Sequence, residues 1–391
     1  MKILNPKVLV SQKVQNLAKV GLGFISTLVA LDVAINLLFP YPTDPLNTSP
    51  GAMKLYFDYG RSIEGKVARQ MGATDDTTAP IARVGWLDSH LGQGEPVRPA
   101  PGKDLLIAIY GMSFAERVGK AMETVDPNIT LRMIAGPSAP PNYSFAAYEA
   151  DRGHHQANVA ILGILASSVK GMGAMTGMTW GSEVPAPYTF PKYKLESGEL
   201  EPIEPEIQSL SQLRTALSNP QQRDAFVDQL RANDQFFDSF VFEKNLLDTS
   251  AIVRMLRRAW AKSHQDNITN QIHTATGFNP NWEQVPVLKR MVEEFAASAK
   301  RDGKLPIVLL FNDQGYDDHL YQLLKPTLEQ NQIPFVSSHD IAPATDRSNF
   351  VADGHFTAAI DQRMAEKVLA LVNHSLTRPH PLEAQSKQLN Q

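Results

Sequence analysis

The chain has 391 residues, 43% of them apolar and 20% charged, enough for one large domain with insertions or for two domains. A formal net charge of -4 provides no basic field to neutralise a phosphate backbone, so no nucleic-acid partner is expected. There is no cysteine, which rules out disulfides, thiolate metal sites and cysteine nucleophiles.

Residues 1–19 carry Lys2, Lys7, Lys13 and Lys19 and no acidic residue. The run Gly21 to Phe39 then has the length and apolarity of a bilayer-crossing helix, so residues 20–40 are predicted as a transmembrane span. Asp32 and Asn36, four apart, share one face of it and are expected to meet a partner helix or to lie toward the interface. By the positive-inside rule the N-terminus is cytoplasmic and the rest of this single-pass membrane protein extracytoplasmic, in the periplasm. A cleaved signal peptide is the rival reading, but the run is long for one and no convincing small-x-small site follows.

Residues 41–103 are rich in Pro, Gly, Thr and Asp and hold one helix-like stretch, Met53 to Met71, which reads as a juxtamembrane support. From residue 104 the pattern changes to short apolar runs, each followed by turn residues and a helical pattern. Leu105 to Tyr110, Ile129 to Ile134, Val159 to Leu165, Pro306 to Phe311 and Pro334 to Val336 are predicted as buried parallel strands. Ile360, Met364, Val368, Leu371 and Val372 recur at helical spacing and define the last helix. A three-layer α/β/α sandwich over 104–373 follows, with 374–391 as a tail.

An insertion at about 170–285 interrupts the rhythm. Gly171 to Gly181, with four glycines and three methionines, is expected to be a mobile loop of the kind that covers sites. Tyr188 to Pro205 fits a hairpin around Glu196, Ser197 and Gly198. Ile207 to His264 reads as helices broken at Asn219 and Pro220, with Phe236, Phe237, Phe240, Phe242 and Trp260 as a local core. No internal repeat is evident.

Two segments carry chemistry. Ser113 follows the first strand at the start of a helix, the end of an α/β sheet where ligands bind and where free amides favour negative charge. Some 240 residues later Asp353-Gly354-His355 immediately precedes the last helix. A serine hydroxyl needs a base to become nucleophilic, and a carboxylate fixes the imidazole tautomer and stabilises the imidazolium, so Ser113, His355 and Asp353 are the candidate triad. Two residues apart, the acid and base reach the serine from one loop, whereas an α/β-hydrolase brings them from separate loops.

In these blocks the chain resembles the SGNH/GDSL hydrolase superfamily over approximately Asp104 to Val372, less the insertion. The resemblance implies a flavodoxin-like sandwich and an esterase or acyltransferase activity. The family's Gly-Asp-Ser block is here Gly111-Met112-Ser113. Its closing Asp-x-x-His is here Asp353-x-His355, a spacing similar to that of the alginate-acetylation branch, whose members transfer acetyl groups to exopolysaccharide outside the cytoplasm.

The family stabilises its oxyanion with the serine amide, a glycine amide after the second strand and an asparagine after the third. Gly136 stands where that glycine is expected. No asparagine follows the third strand, which leaves the hydroxyls of Ser167 or Ser168, or Asn142 from the neighbouring loop, as candidates. His154-His155 reads as surface, there is no His-Glu-x-x-His, and phosphate and dinucleotide loops are absent, so no metal and no cofactor are expected. Asp313, after the fourth strand, reads as a helix cap. The expected substrate is an acyl ester or acylated polysaccharide. The alternative is an inactive module that binds glycan or scaffolds an envelope or exopolysaccharide secretion complex.

Overall fold

The structure is a computed structural model that describes residues 6–42, 44, 52–74, 76–91 and 95–377. Lys2 and the expected tail beyond residue 377 lie outside the described residues. Contacts divide the chain into two units, one of Met1–Ala79, Ser182–Pro185 and Asp238–His264, the other of Pro80–Gly181, Ala186–Phe237 and Gln265–Gln391. The stretch 238–264 of the expected insertion therefore folds with the N-terminal segment.

In the first unit, helix α1 spans Pro6–Leu38, and its portion Val14–Leu38 is long and apolar enough to cross a membrane, with none of it buried. Its polar pair has found a partner inside the chain. Asp32 Oδ1 accepts from the Ser250 hydroxyl at 2.8 Å and the Ile252 amide at 2.9 Å, so it caps the long helix Ala251–Ile272 from outside. Asn36 donates to the Thr249 carbonyl at 3.1 Å and accepts from Arg254 at 3.0 Å.

The helical stretch expected from Met53 to Met71 is two helices, α2 (Ala52–Tyr59) and α3 (Ile63–Met71). The break is steric and polar. A Cβ on Gly60 would lie 1.8 Å from the Arg254 carbonyl oxygen, and Ser62 caps α3 by accepting from the Gly65 amide. Asp248, on the turn before the long helix, takes hydrogen bonds from the Ser62 amide and hydroxyl and pairs with the buried Arg257.

The second unit is built on a wholly parallel five-stranded sheet. Its strands are β1 (Leu105–Met112), β2 (Ile129–Gly136), β3 (Val159–Leu165), β4 (Leu305–Phe311) and β5 (Phe335–Ser337), in the spatial order β2-β1-β3-β4-β5. Apolar residues occupy both faces of each central strand because helices cover both. Helices α4 (Ser113–Val125) and α8 (Ala358–Thr377) pack together, and α5 (Pro141–Asp151), α6 (Gln284–Arg301) and α7 (His319–Gln330) form a second group. The chain runs from β1 to one side and then to the other, which places the topological switch point between β1 and β3.

The insertion corrects one expectation. Gly171 to Gly181 is no mobile lid: Met172, Met175 and Met178 are fully buried, in the 3₁₀ turn Ala166–Gly173, in the bend after it and in the short helix Gly177–Trp180. Asp234 ties it down, accepting from the Met175 amide and the Thr179 hydroxyl at 3.0 and 2.8 Å. Its glycines mark close approach, since a Cβ on Gly177 would lie 2.6 Å from the Ala186 carbonyl oxygen and one on Gly171 would lie 2.8 Å from Pro140.

The hairpin pairs Lys192–Glu196 with Glu199–Ile203, and both turn residues, Ser197 and Gly198, take positive φ as a type I′ turn requires. Helices Leu210–Ser218 and Pro220–Asn233 are separated where Asn219 caps the second. The expected aromatic core does not form as one cluster. Phe236 belongs to the sheet unit, whereas Phe240 and Trp260 are exposed in the other.

Candidate active site

Strand β1 ends at Met112, and Ser113 opens α4 at the carboxyl edge of the sheet. The approach of α4 to the sheet depends on missing side chains. A Cβ on Gly111 of β1 or on Gly163 of β3 would stand 2.8 Å from Ala115 Cβ in the first turn of α4. Met112 makes no side-chain cap, so only the backbone of this turn offers donors beside the serine.

The second segment arrives on a tight loop. Phe350 bridges Phe356, the Val351 amide donates to the His355 carbonyl at 2.8 Å, and Gly354 takes φ +88°, a left-handed conformation that turns the chain back. This loop is fastened to α4. Arg117 donates to the Phe356 carbonyl at 2.8 Å and to the Asp361 carboxylate of α8 at 2.9 Å, and Phe114 stacks on the His355 ring with centroids 4.9 Å apart.

Ser113 Oγ and His355 Nε2 are consequently 2.7 Å apart, across 242 residues of sequence. Asp353 Oδ1 lies 3.1 Å from His355 Nδ1, yet Nδ1 makes no hydrogen bond of good geometry: the carboxylate is set off the line of the ring N–H. The same oxygen accepts from the His355 amide at 3.1 Å. That bond, with the nearby ring, holds the Asp353 carboxyl below the ordinary aspartate range. Asp353 is 66% exposed and the His355 side chain 25%, so the pair opens directly to solvent.

The expected oxyanion donors divide. Gly136 is brought level with the serine's strand, its Cα paired with Met112, and it is a glycine because a Cβ would lie 2.9 Å from the Tyr143 ring. Asn142 is not available: it is fully buried in α5, and its amide donates to the Pro191 carbonyl at 2.8 Å. The Ser168 hydroxyl is buried too and donates to the Leu165 carbonyl at 2.9 Å.

The Ser167 amide donates to Asp313 Oδ1 at 3.0 Å. Asp313 therefore does not cap the next helix; it joins the ends of β3 and β4, and burial raises its carboxyl above the usual range despite that donor. Of the side-chain candidates, Asn142 and Ser168 are engaged elsewhere, and the half-buried Ser167 keeps its hydroxyl just beyond the end of β3. The backbone amides of Ser113 and Gly136 stand beside it as candidates.

Sequence reading missed Phe114 and Arg117, which hold His355 in place. Phe114 stood inside the serine block, but nothing local said that an aromatic ring there would meet an imidazole 241 residues later. His154-His155 was misread in part. His155 is buried, and its Nδ1 accepts from the Ala157 amide at 3.1 Å, so the neutral ring carries its proton on Nε2, 2.8 Å from the Tyr110 hydroxyl. Tyr110 donates to Asp151, which Arg132 pairs with bidentately. Burial, with Lys304 close by, pulls the His155 pKa down to about 4. This network braces β1, β2 and α5 and does not include Ser113.

A cavity of about 550 Å³ lined by Phe145, Tyr193, Glu149 and Arg290 contains none of the three candidate triad residues. Among the described residues no group of three or more His, Cys, Asp or Glu side chains is arranged to hold a metal. The chain matches no protein-family model and no curated protein.

Proposed function

We propose that the chain is a membrane-tethered serine ester hydrolase or O-acyltransferase of SGNH/GDSL type, with its site on the extracytoplasmic side. The strand order, a serine at the end of the first strand and an Asp-x-His block before the last helix fit the flavodoxin-like sandwich of that superfamily. The observation that carries the reading is the 2.7 Å contact between Ser113 Oγ and His355 Nε2, with a carboxylate beside the far ring nitrogen.

In the proposed reaction His355 takes the Ser113 proton as Oγ attacks the ester carbonyl carbon. The oxyanion then faces the amides of Ser113 and Gly136. Collapse breaks the ester C–O bond, and the leaving alcohol takes the proton from His355. Water resolves the acyl-enzyme in hydrolysis, a sugar hydroxyl in transfer. The open position of the pair suits a segment of a large acylated polymer better than a small ester that must be enclosed.

Labelling with a fluorophosphonate tests this. The full chain should react at Ser113, lose the reaction in Ser113→Ala and slow in His355→Ala. An acetyl ester supplied with and without an oligosaccharide acceptor then separates transfer from hydrolysis. A second reading, a glycan-binding module that has lost catalysis, is favoured by the commitment of Asn142 and Ser168 to other partners. Folded protein that binds oligosaccharide without labelling would establish it.

A further inference from the structure

We infer that the first unit itself enters the membrane interface, through the apolar side chains of residues 246–260 around the exit of α1. The inference rests on the reading of α1 as a span. It begins from a matter of level. The apolar, unburied portion of α1 continues to Leu38, with Leu37 and Leu38 exposed beyond Asn36. Asp32 lies six residues before that end, about 9 Å at 1.5 Å per residue.

Whatever is bonded to Asp32 and Asn36 must share their depth. Their partners are Ser250, Ile252, Thr249 and Arg254, at the start of the long helix Ala251–Ile272. A depth of that order is the thickness over which amphipathic helices bury their apolar faces at a bilayer surface. Docking on α1 therefore draws the head of this helix into the headgroup and upper-chain region. The polar groups can go there because they satisfy one another.

The surface next to these contacts is the kind a lipid interface takes. Leu246 is 88% exposed and Leu256 63%, and Leu247, Met255 and Trp260 are exposed with them. Met255, Leu256, Ala259 and Trp260 follow one another at helical spacing on the outer face of the long helix, a stripe for which a helix in water has no use. Trp260 keeps its indole N–H on Asp238 at 3.0 Å, apolar body outward and polar edge satisfied, and Arg258, paired with Glu183 at 2.9 Å, borders the stripe. The occupant is thus lipid, continuous with that around α1.

The absence of cysteine makes the test clean. Leu246→Cys, Leu256→Cys and Ile25→Cys, the last at mid-span, are each labelled with an environment-sensitive fluorophore in the full chain. They are then reconstituted in phosphatidylethanolamine–phosphatidylglycerol vesicles carrying a nitroxide either near the headgroup or near the chain end. All three side chains are exposed, so the fold tolerates the changes.

The expected result is several-fold quenching of the 246 and 256 labels by the shallow nitroxide and of the 25 label by the deep one. Deep quenching at 25 with none at 246 and 256 overturns this inference and leaves the span standing. Shallow quenching at 246 and 256 without deep quenching at 25 upholds it and overturns the span. No quenching at any of the three overturns both. Labels at 246 and 256 that are quenched in vesicles but shielded from water-soluble and lipid quenchers alike in native membranes would assign the surface to a protein partner and overturn the inference.

Discussion

Replacing Gly163 by alanine probes how the candidate nucleophile is positioned without touching it. The new Cβ would stand 2.8 Å from Ala115 Cβ and 3.4 Å from the Phe311 ring. Ala115 Cβ is fixed to its backbone, so α4 must retreat from β3 until ordinary contact is restored near 3.4 Å, a displacement of about 0.6 Å, and such overpacking costs about 1–3 kcal/mol. His355 travels with α4, because Phe114 and Arg117 bind its loop to that helix. The serine–histidine contact therefore survives, and the alignment with Gly136 on the other side of β1 is lost. Since a 1 Å misplacement costs about a hundredfold, labelling of Ser113 by a fluorophosphonate should slow about tenfold. The melting temperature should fall by a few degrees. Gly153→Ala, where a Cβ meets nothing within 4 Å, is the control. A Gly163→Ala protein that melts and labels like the wild type would refute the account of how α4 is seated.

Asp353→Ala should cost about tenfold in labelling rate, less than the hundredfold or more expected for His355→Ala, because the carboxylate is exposed and off the ring N–H axis; equal losses would show that Asp353 is better aligned in solution. Asp234 has its pKa raised by burial to about 6, so the folded state holds its proton more tightly and stability from this group rises as pH falls from above 6 toward 4. The urea midpoint of the wild type should therefore rise relative to that of Asp234→Asn as pH falls across that range, and a constant offset between them would contradict the burial argument. Asp32→Ala removes the external cap of the long helix and should lower the stability of detergent-solubilised protein by about 1 kcal/mol, read as a shift in its unfolding midpoint; an unchanged midpoint would mean that the cap contributes nothing.

What the sequence made legible is what depends on period and on strand-end rules. The five apolar runs became the five strands in parallel order because each is short, bounded by turn residues and apolar on both faces. Ser113 and the Asp353–His355 block were placed by the same logic, one at the end of a strand and the other before the last helix.

The errors have a common source in non-local partners. Glycine-rich composition at 171–181 has two physical causes, freedom and close approach, and only the positions of Ala186, Pro140 and Gln235 decide for the second. His155 looked like surface because Tyr110, its partner, lies 45 residues away. Asp32 was expected to meet a partner helix, but nothing local could name that partner, because Ser250 lies 218 residues on.

The same argument bears on the oxyanion site. A strand-end rule put both Ser167 and Asp313 at the carboxyl edge of the sheet, correctly, but it could not say that they would satisfy each other. With the Ser168 and Asn142 side chains committed, charge developing on a substrate carbonyl would be met chiefly by backbone amides, those of Ser113 and Gly136. Such donors are set by register, Met112 against Gly136, and by the depth at which α4 sits on Gly111 and Gly163. The site should then tolerate side-chain changes among its polar neighbours and be sensitive at the two glycines, where the side chain is a hydrogen atom and the only thing to change is distance.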